Sequence, residues 1–125
     1  MKRLPESELD IMIIIWEAKR PVNIAYITEH LAEQRKLTVS ALHSYLKRLL
    51  EKGFLSFIKQ GKTNVYEAIV SEEEYQKKES KSVLERLYQG SIKNFVAALH
   101  NGDHLTKEDL LELKDFIEGY TEGEE

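Results

Sequence analysis

The sequence contains no cysteine. Disulfide bonds and thiolate metal sites are therefore excluded, and the absence fits a protein of a reducing compartment. Long hydrophobic runs are absent as well: the most apolar stretch, residues 11–16, has six residues, whereas a membrane-spanning helix needs about 20. The first five residues lead directly into acidic ones, without the pattern of a secretory signal. These absences predict a cytoplasmic protein with no membrane association.

Signatures of catalysis are also missing. The sequence has no Ser/His/Asp constellation, no glycine-rich phosphate loop and no inward pair of carboxylates. His100 and His104 have the i, i+4 spacing of helical metal ligands, but Asn101-Gly102-Asp103 between them predicts a turn. A loop site formed by His100, Asp103 and His104 is the remaining metal hypothesis. We expect no enzymatic activity and no metal or other cofactor.

The charge is distributed unevenly. The net charge of -4 argues against a nucleic-acid partner. The two halves of the chain, however, differ in net charge. Residues 1–70 hold 11 Lys and Arg against 8 Asp and Glu, a net charge of +3, and residues 71–125 hold 7 against 14, a net charge of -7. Residues 35–62 hold 7 basic side chains and 1 acidic one, a net charge of +6. Because a phosphate backbone responds to the local potential, this segment is suited to bind DNA.

The first half predicts three helices and a hairpin. The helices are expected at residues 6–18, 24–34 and 39–52, and the strands at 54–58 and 65–69 around a polar loop. Asn23 and Thr38 occupy the N-cap positions of the second and third helices, and Gly53 suits the left-handed position after the third. The apolar positions at helical spacing in the first helix are Leu9, Met12, Ile13 and Trp16.

The third helix has one apolar face and one small, polar, cationic face. Leu42, Leu46 and Leu49 cluster on the first, with Ser40 and Lys47 opposite. A helix of this kind can enter a DNA major groove, and a hairpin directly after it with lysines near its tip is typical of a winged helix. The predicted DNA-binding residues are Thr38, Ser40, Ala41, His43, Ser44, Lys47, Arg48, Lys59 and Lys62.

The second half predicts three further helices, each with one apolar face. The first follows Ser71 and continues to about residue 89, Gly90-Ser91 interrupts it, and Thr106 with Asp109 caps the last. About 55 residues form a marginal core on their own, so we expect these helices to pack against a second copy of the chain. The predicted dimerisation residues are Tyr75, Leu84, Leu87, Tyr88, Ile92, Phe95, Val96, Leu99, Leu110, Leu113 and Ile117.

Several motifs together resemble the BlaI/MecI/CopY family of bacterial repressors. The segments that carry the resemblance are Glu8–Met12 with Trp16, Leu46–Phe54, Tyr66, Leu87-Tyr88 with Gly90-Ser91, and Phe95-Val96. The resemblance covers nearly the whole chain. It implies a mainly α protein with a small antiparallel β-hairpin: a winged helix-turn-helix DNA-binding domain at residues 1–70 and a helical dimerisation region at residues 71–125.

The same resemblance implies a function. Members of this family are homodimeric transcriptional repressors that bind a palindromic operator in double-stranded DNA upstream of antibiotic-resistance genes. In penicillin-responsive members a membrane sensor signals, and cleavage within the C-terminal region of the repressor separates the dimer. The implied partners are therefore operator DNA, a second copy of the chain and a sensor-linked protease.

The sequence departs from the family pattern at three places. The copper-responsive branch uses a C-terminal cysteine cluster, which this chain lacks. Ser40, Ala41 and His43 replace the Lys-Thr and Arg that are frequent in the recognition helix, so the operator sequence is open. Alignment on Gly90-Ser91 places residues 97–98, both alanine, at the usual Asn-Phe cleavage position, while residues 94–95 are Asn-Phe.

Two alternative functions follow from the same residues. A winged helix can serve as a protein-interaction module that binds no DNA, and the overall acidity and the small side chains of the third helix leave this alternative open. A repressor released by a small molecule or a metal ion would share the DNA-binding half and differ in its release. The net charge of +6 over residues 35–62 favours DNA over the first alternative.

Overall fold

The computed structural model describes residues 1–123, so the last two residues of the predicted dimerisation region lie outside it. The chain divides into two compact units, Met1–Glu79 and the residues from Ser80 onward. None of the described helices is both long and apolar enough to cross a membrane. The elements in chain order are α1 Glu6–Ala18, α2 Ile24–His30, a 3₁₀ turn Glu33–Arg35, α3 Val39–Glu51, β1 Leu55–Gln60, β2 Thr63–Ala68, α4 Glu72–Tyr88, α5 Ile92–Asn101 and α6 Lys107–Gly123.

The helix starts follow the predicted caps. The Asn23 Oδ1 atom accepts the Tyr26 backbone N–H at 2.8 Å, and the Thr106 Oγ1 atom accepts the Asp109 N–H at 3.0 Å. Each bond satisfies one of the N–H groups that a helix leaves without a partner in its first turn. The end of α2 was predicted wrongly, because Leu31 takes an extended backbone conformation that ends the helix and buries its side chain.

The hairpin is longer and its turn tighter than the sequence indicated. β1 and β2 are antiparallel and remain paired as far as Gln60 with Thr63, so only Gly61 and Lys62 form the turn. Gly61 has φ +65°, which a two-residue hairpin turn requires and glycine adopts without strain. The polar loop predicted between residues 58 and 65 is therefore wrong: most of its residues extend the strands, since a strand exposed to solvent needs no apolar side chain.

An extra backbone bridge joins the hairpin to the segment between α1 and α2. The Val22 N–H donates to the Tyr66 carbonyl oxygen at 3.0 Å, and the Tyr66 N–H donates to the Val22 carbonyl oxygen at 2.7 Å. Val22 and Tyr66 are both buried. The bridge fixes the base of the hairpin to the helical part of the unit.

The core of the first unit lies among α1, α2, α3, the hairpin and the first turns of α4. Its buried residues are Leu4, Ile11, Met12, Ile15, Val22, Ile27, Leu42, Leu46, Leu49, Phe54, Leu55, Tyr66 and Tyr75. The buried face of α1 differs from the predicted one, since Ile13 is exposed and Glu8 is buried. Position 8 shares its helical phase with Ile11 and Ile15, so its carboxylate enters the core despite its charge.

The second unit contains the end of α4 together with α5 and α6. From Ser80 to Thr121, no described residue is buried. α5 and α6 flank a groove of about 690 Å³ whose lining is mostly apolar. The apolar residues of this groove are Ile92, Phe95, Val96, Leu99, Leu105, Leu113, Phe116 and Ile117.

Candidate nucleic-acid interface

α3 is fixed at both ends and along one side. At its start, the Thr38 Oγ1 atom accepts the Ala41 N–H at 3.1 Å. At its end, Gly53 takes φ +80°, and the Phe54 N–H donates to the Leu49 carbonyl oxygen at 2.9 Å. The three leucines of the buried face are each at most 1 % exposed. One face of α3 is thus committed to the core, and the other faces solvent.

The solvent face of α3 carries side chains that the sequence predicts to bind DNA. Ser40, His43, Ser44 and Lys47 are exposed, and Ala41 is half-buried at the edge of the face. A small polar surface of this kind can approach base edges, because hydroxyl and imidazole groups both donate and accept hydrogen bonds there. The structure therefore brings the predicted α3 residues together on one accessible surface.

Two residues of this surface were missed by sequence reasoning. Helical periodicity places Val39 at the margin of the apolar face, but the side chain is 62 % exposed in the first turn of α3, where a methyl group can contact thymine. Glu51 is exposed at the other end, four residues after Lys47. The wheel position of Glu51 beside Lys47 was the available signal, and its carboxylate makes the last turn the least favourable part of the face for phosphate.

Six of the seven cations of residues 35–62 fall into two groups, and the seventh, Lys36, donates to the Thr28 carbonyl oxygen. Arg35 pairs with Glu6, and Lys52 pairs with Glu8, so α1 carboxylates neutralise two of the seven. Lys47, Arg48, Lys59 and Lys62 are exposed, and no carboxylate of the described chain lies within ion-pair distance of any of them. The Arg48 guanidinium lies over the Tyr45 ring, 5.5 Å from its centroid. The accessible positive charge is therefore on α3 and the hairpin.

The hairpin presents its two lysines near its tip. Lys62 occupies the turn, and Lys59 pairs with Asn64 across the strands. At the base, the Phe57 and Tyr66 rings pack with their centroids 6.0 Å apart, which joins the exposed hairpin to the core. The hairpin follows α3 directly, after the Gly53 turn, as a wing follows a recognition helix.

The sequence left open a metal site formed by His100, Asp103 and His104. α5 ends at Asn101, and the chain turns through Gly102 and Asp103, the latter at φ +62°. His100 therefore lies on the helix and His104 beyond it. Within residues 1–123, no group of three His, Asp or Glu side chains is arranged to hold a metal ion.

The predicted dimerisation residues occupy two environments. Tyr75 lies in the core of the first unit, where its hydroxyl accepts the Leu4 N–H at 2.8 Å. The others lie in the second unit and are half-buried or exposed, with Leu87 at 64 % and Ile92 at 65 %. Six of them, on α5 and α6, line the apolar groove: Ile92, Phe95, Val96, Leu99, Leu113 and Ile117.

Three helices followed by an antiparallel hairpin, with the polar face of the third helix exposed beside it, define the winged-helix class of DNA-binding folds. The chain belongs to the penicillinase repressor family, whose model matches residues 4–119. It is 29% identical to the penicillinase repressor of Bacillus licheniformis over 121 residues, which are 94% of each chain. It is 25% identical to the methicillin resistance regulatory protein MecI of Mammaliicoccus sciuri over 114 residues, 91% of this chain and 92% of the relative.

Two solved structures of similar sequence each cover about three fifths of the chain. The DNA-binding domain of the repressor BlaI in solution is 28% identical, with a TM-score of 0.50, over 60% of this chain and 94% of that one. Monomeric Bacillus licheniformis BlaI in complex with the blaP half-operator is 26% identical, also with a TM-score of 0.50, over 59% of this chain and 89% of that one. The winged-helix prediction and the family resemblance are confirmed.

Proposed function

We propose that this chain is a homodimeric transcriptional repressor that binds an operator in double-stranded DNA through α3 and the hairpin. The observation that carries the proposal is the exposed face of α3, with four accessible cations on it and on the adjoining hairpin. The solved complex of the similar BlaI with a half-operator supports DNA as the partner. Because the chain belongs to a family of repressors, the function to test is that of a regulator and not that of an enzyme.

α3 enters the major groove in this proposal. Ser40, His43 and Ser44 meet base edges, and Ala41 with Val39 contacts thymine methyl groups. Thr38 lies at the helix start, where backbone N–H groups and the helix dipole favour a phosphate. Because the polar side chains are short, the helix must lie close to the base pairs.

The hairpin lysines supply sequence-independent affinity. Lys59 and Lys62 meet backbone phosphates beside the groove that α3 occupies, and Lys47 and Arg48 contact phosphates from the helix. These long side chains adapt to the DNA backbone, whereas the short side chains of α3 fix the register. Affinity and specificity are therefore assigned to different residues.

Dimerisation through α5 and α6 completes the proposal. The apolar groove leaves Phe116 at 67 % and Ile117 at 52 % exposed in the single chain. An exposed apolar surface of this kind is typical of an interface, and a second copy carries the same surface. A two-fold dimer presents two α3 helices, which suits an operator with inverted half-sites.

Release of the operator by proteolysis in the C-terminal region is the last part of the proposal, with a sensor-linked protease as the partner. Both candidate bonds, at residues 94–95 and 97–98, lie within α5. A cut at either bond separates Ile92 from Leu99, which line the same groove. Cleavage of α5 thus removes a continuous apolar face from the interface and weakens the dimer.

A salt titration of DNA binding tests the proposed interface. Each phosphate contact steepens the fall of log affinity with log salt, so Lys47→Ala is expected to lower affinity for all duplexes and reduce the slope by about 1. The matched control is Lys77→Ala on α4, whose ammonium lies 3.6 Å from Glu73. A Lys47→Ala slope equal to that of the wild type contradicts the phosphate contact. Failure of the wild type to bind any duplex contradicts the function.

A further inference from the structure

Ion pairs tie both ends of α3 to α1. Lys52, the residue that follows the last turn of α3, places its Nζ atom 2.6 Å from the Glu8 Oε1 atom. Arg35, in the turn that precedes α3, pairs with Glu6, and its Nε atom lies 3.5 Å from the Asp10 Oδ2 atom. One helix therefore holds the chain immediately before and immediately after the proposed recognition helix.

The two attachments lie on different sides of α1. Because an α-helix turns about 100° per residue, Glu8 points nearly opposite to Glu6 and Asp10. The Glu8 side chain is 1 % exposed, and Lys52 is its hydrogen-bonding cation. A buried carboxylate is expensive to leave unpaired, so the position of Lys52 is strongly restrained.

The same contacts remove two cations from the DNA surface. Arg35 and Lys52 flank α3 in sequence, but their charges are directed to α1. The Lys36 Nζ atom donates to the Thr28 carbonyl oxygen at 2.7 Å, which ties the connection between α2 and α3 to α2 as well. The cations next to α3 thus hold the helix in the unit.

Base recognition is more sensitive to the orientation of a helix than phosphate binding is. Hydrogen bonds to base edges require donor–acceptor distances of about 2.7–3.2 Å, and the short side chains of α3 cannot extend to recover them. Lysine and arginine reach phosphates from a range of helix positions. A small rotation of α3 therefore weakens specific binding more than non-specific binding.

We propose that Glu6, Glu8 and Asp10 are positioning residues that orient α3 through Arg35 and Lys52 and thereby set the discrimination between operator and other DNA. None of the three carboxylates contacts DNA. The inference rests on the proposed DNA-binding function and identifies residues outside the interface on which specificity depends.

The test compares two affinities for each full-length variant by fluorescence anisotropy. The probes are a duplex that the wild type selects from a random-sequence pool and a scrambled duplex of the same length. Glu8→Gln and Arg35→Gln are expected to lower the ratio of the two affinities by about tenfold, the contribution of one good base contact. The matched control is Glu17→Gln, an exposed carboxylate of α1 in no ion pair of the described chain.

Conservative replacement separates positioning from general stability. Lys52→Arg keeps the cation and is expected to retain the wild-type ratio, whereas Lys52→Met is expected to lose discrimination as Glu8→Gln does. A variant that is merely less stable has a smaller folded fraction, which lowers both affinities by the same factor and leaves the ratio unchanged.

An unchanged ratio in Arg35→Gln and Glu8→Gln overturns the positioning role while the DNA-binding function stands. If Glu8→Gln does not fold, Arg35→Gln decides the question, because the Arg35 side chain is 40% exposed and lies outside the core. Failure of the wild type to select any duplex overturns the proposed function itself.

Discussion

The Tyr75 hydroxyl accepts the Leu4 backbone N–H at 2.8 Å, which joins two positions 71 residues apart in the chain. The ring of Tyr75 also packs against Trp16 and Phe54, with centroids 5.8 Å from each. The first turns of α4 therefore belong to the core of the first unit, which extends to Glu79.

Truncation of Tyr75 is expected to destabilise the first unit. Tyr75→Ala removes a buried aromatic side chain and should cost about 3–5 kcal/mol of unfolding free energy. Tyr75→Phe keeps the ring and should cost about 1 kcal/mol for the lost hydrogen bond. Urea unfolding followed by Trp16 fluorescence measures both, with Gln76→Ala on the exposed side of α4 as the control. Equal midpoints for Tyr75→Ala and the control would show that Tyr75 is not a core residue.

Two glycine substitutions are expected to act in opposite directions. Gly53 takes φ +80° and has open space around it, so Gly53→Ala should destabilise the first unit by about 1 kcal/mol through backbone strain alone. Gly119 lies within α6 and also has open space, so Gly119→Ala should stabilise that helix by about 0.5–1 kcal/mol. Thermal unfolding of both variants measures the signs. A Gly53→Ala variant more stable than the wild type would contradict the left-handed backbone conformation at this position.

A charge in the α5–α6 groove is expected to separate the dimer. Phe95→Asp or Leu99→Asp places a carboxylate in the proposed apolar interface, where it has no cation to pair with, and should yield monomers with weak operator affinity. Asn94→Asp is the matched control, because Asn94 is exposed and does not line the groove. Sedimentation velocity measures the association state. An intact dimer in both groove variants would show that the interface does not lie in this groove.

The ion pair between Glu6 and Arg35 predicts that the stability of the fold depends on pH. Arg35 lowers the pKa of Glu6 below its ordinary value of 4.5, through a hydrogen bond first and its charge second. Because the folded-state pKa is lowered, the pair stabilises the fold above pH 4.5, and this contribution is lost as the pH falls through the folded-state value. The urea midpoints of the wild type and Glu6→Gln should therefore converge in acid, whereas a difference that grows in acid would contradict the pair. Glu17→Gln serves as the control, with no convergence expected.

The local features of this fold could be predicted from the sequence, and the long-range contacts could not. The caps at Asn23 and Thr38 and the left-handed Gly53 depend on residues within one turn, so sequence spacing identifies them. The Glu8–Lys52 pair joins positions 44 residues apart, and nothing in the spacing of either residue names the other. The exposed face of α3 was predicted because helical periodicity alone assigns it.

The misassigned elements have the same origin. The end of α2 at His30 depends on the packing of Leu31, whose side chain is buried. The length of the hairpin depends on pairing between strands, which the polar residues near its turn do not predict. Helical periodicity places Val39 at the margin of the apolar face, although its position in the first turn of α3 leaves it in solvent. Composition indicates what a residue prefers, whereas packing decides where it lies.

The most direct test of the central claim is a competition titration of the wild type and Ser44→Glu between a selected operator duplex and a scrambled one. The exposed Ser44 lies on the face of α3 assigned to the major groove, and a carboxylate there meets the negative potential of DNA. Ser80→Glu, at an exposed position of α4, is the control. We predict that the wild type and the control prefer the operator and that Ser44→Glu loses this preference. A Ser44→Glu variant that binds and discriminates as the wild type does would contradict recognition through α3.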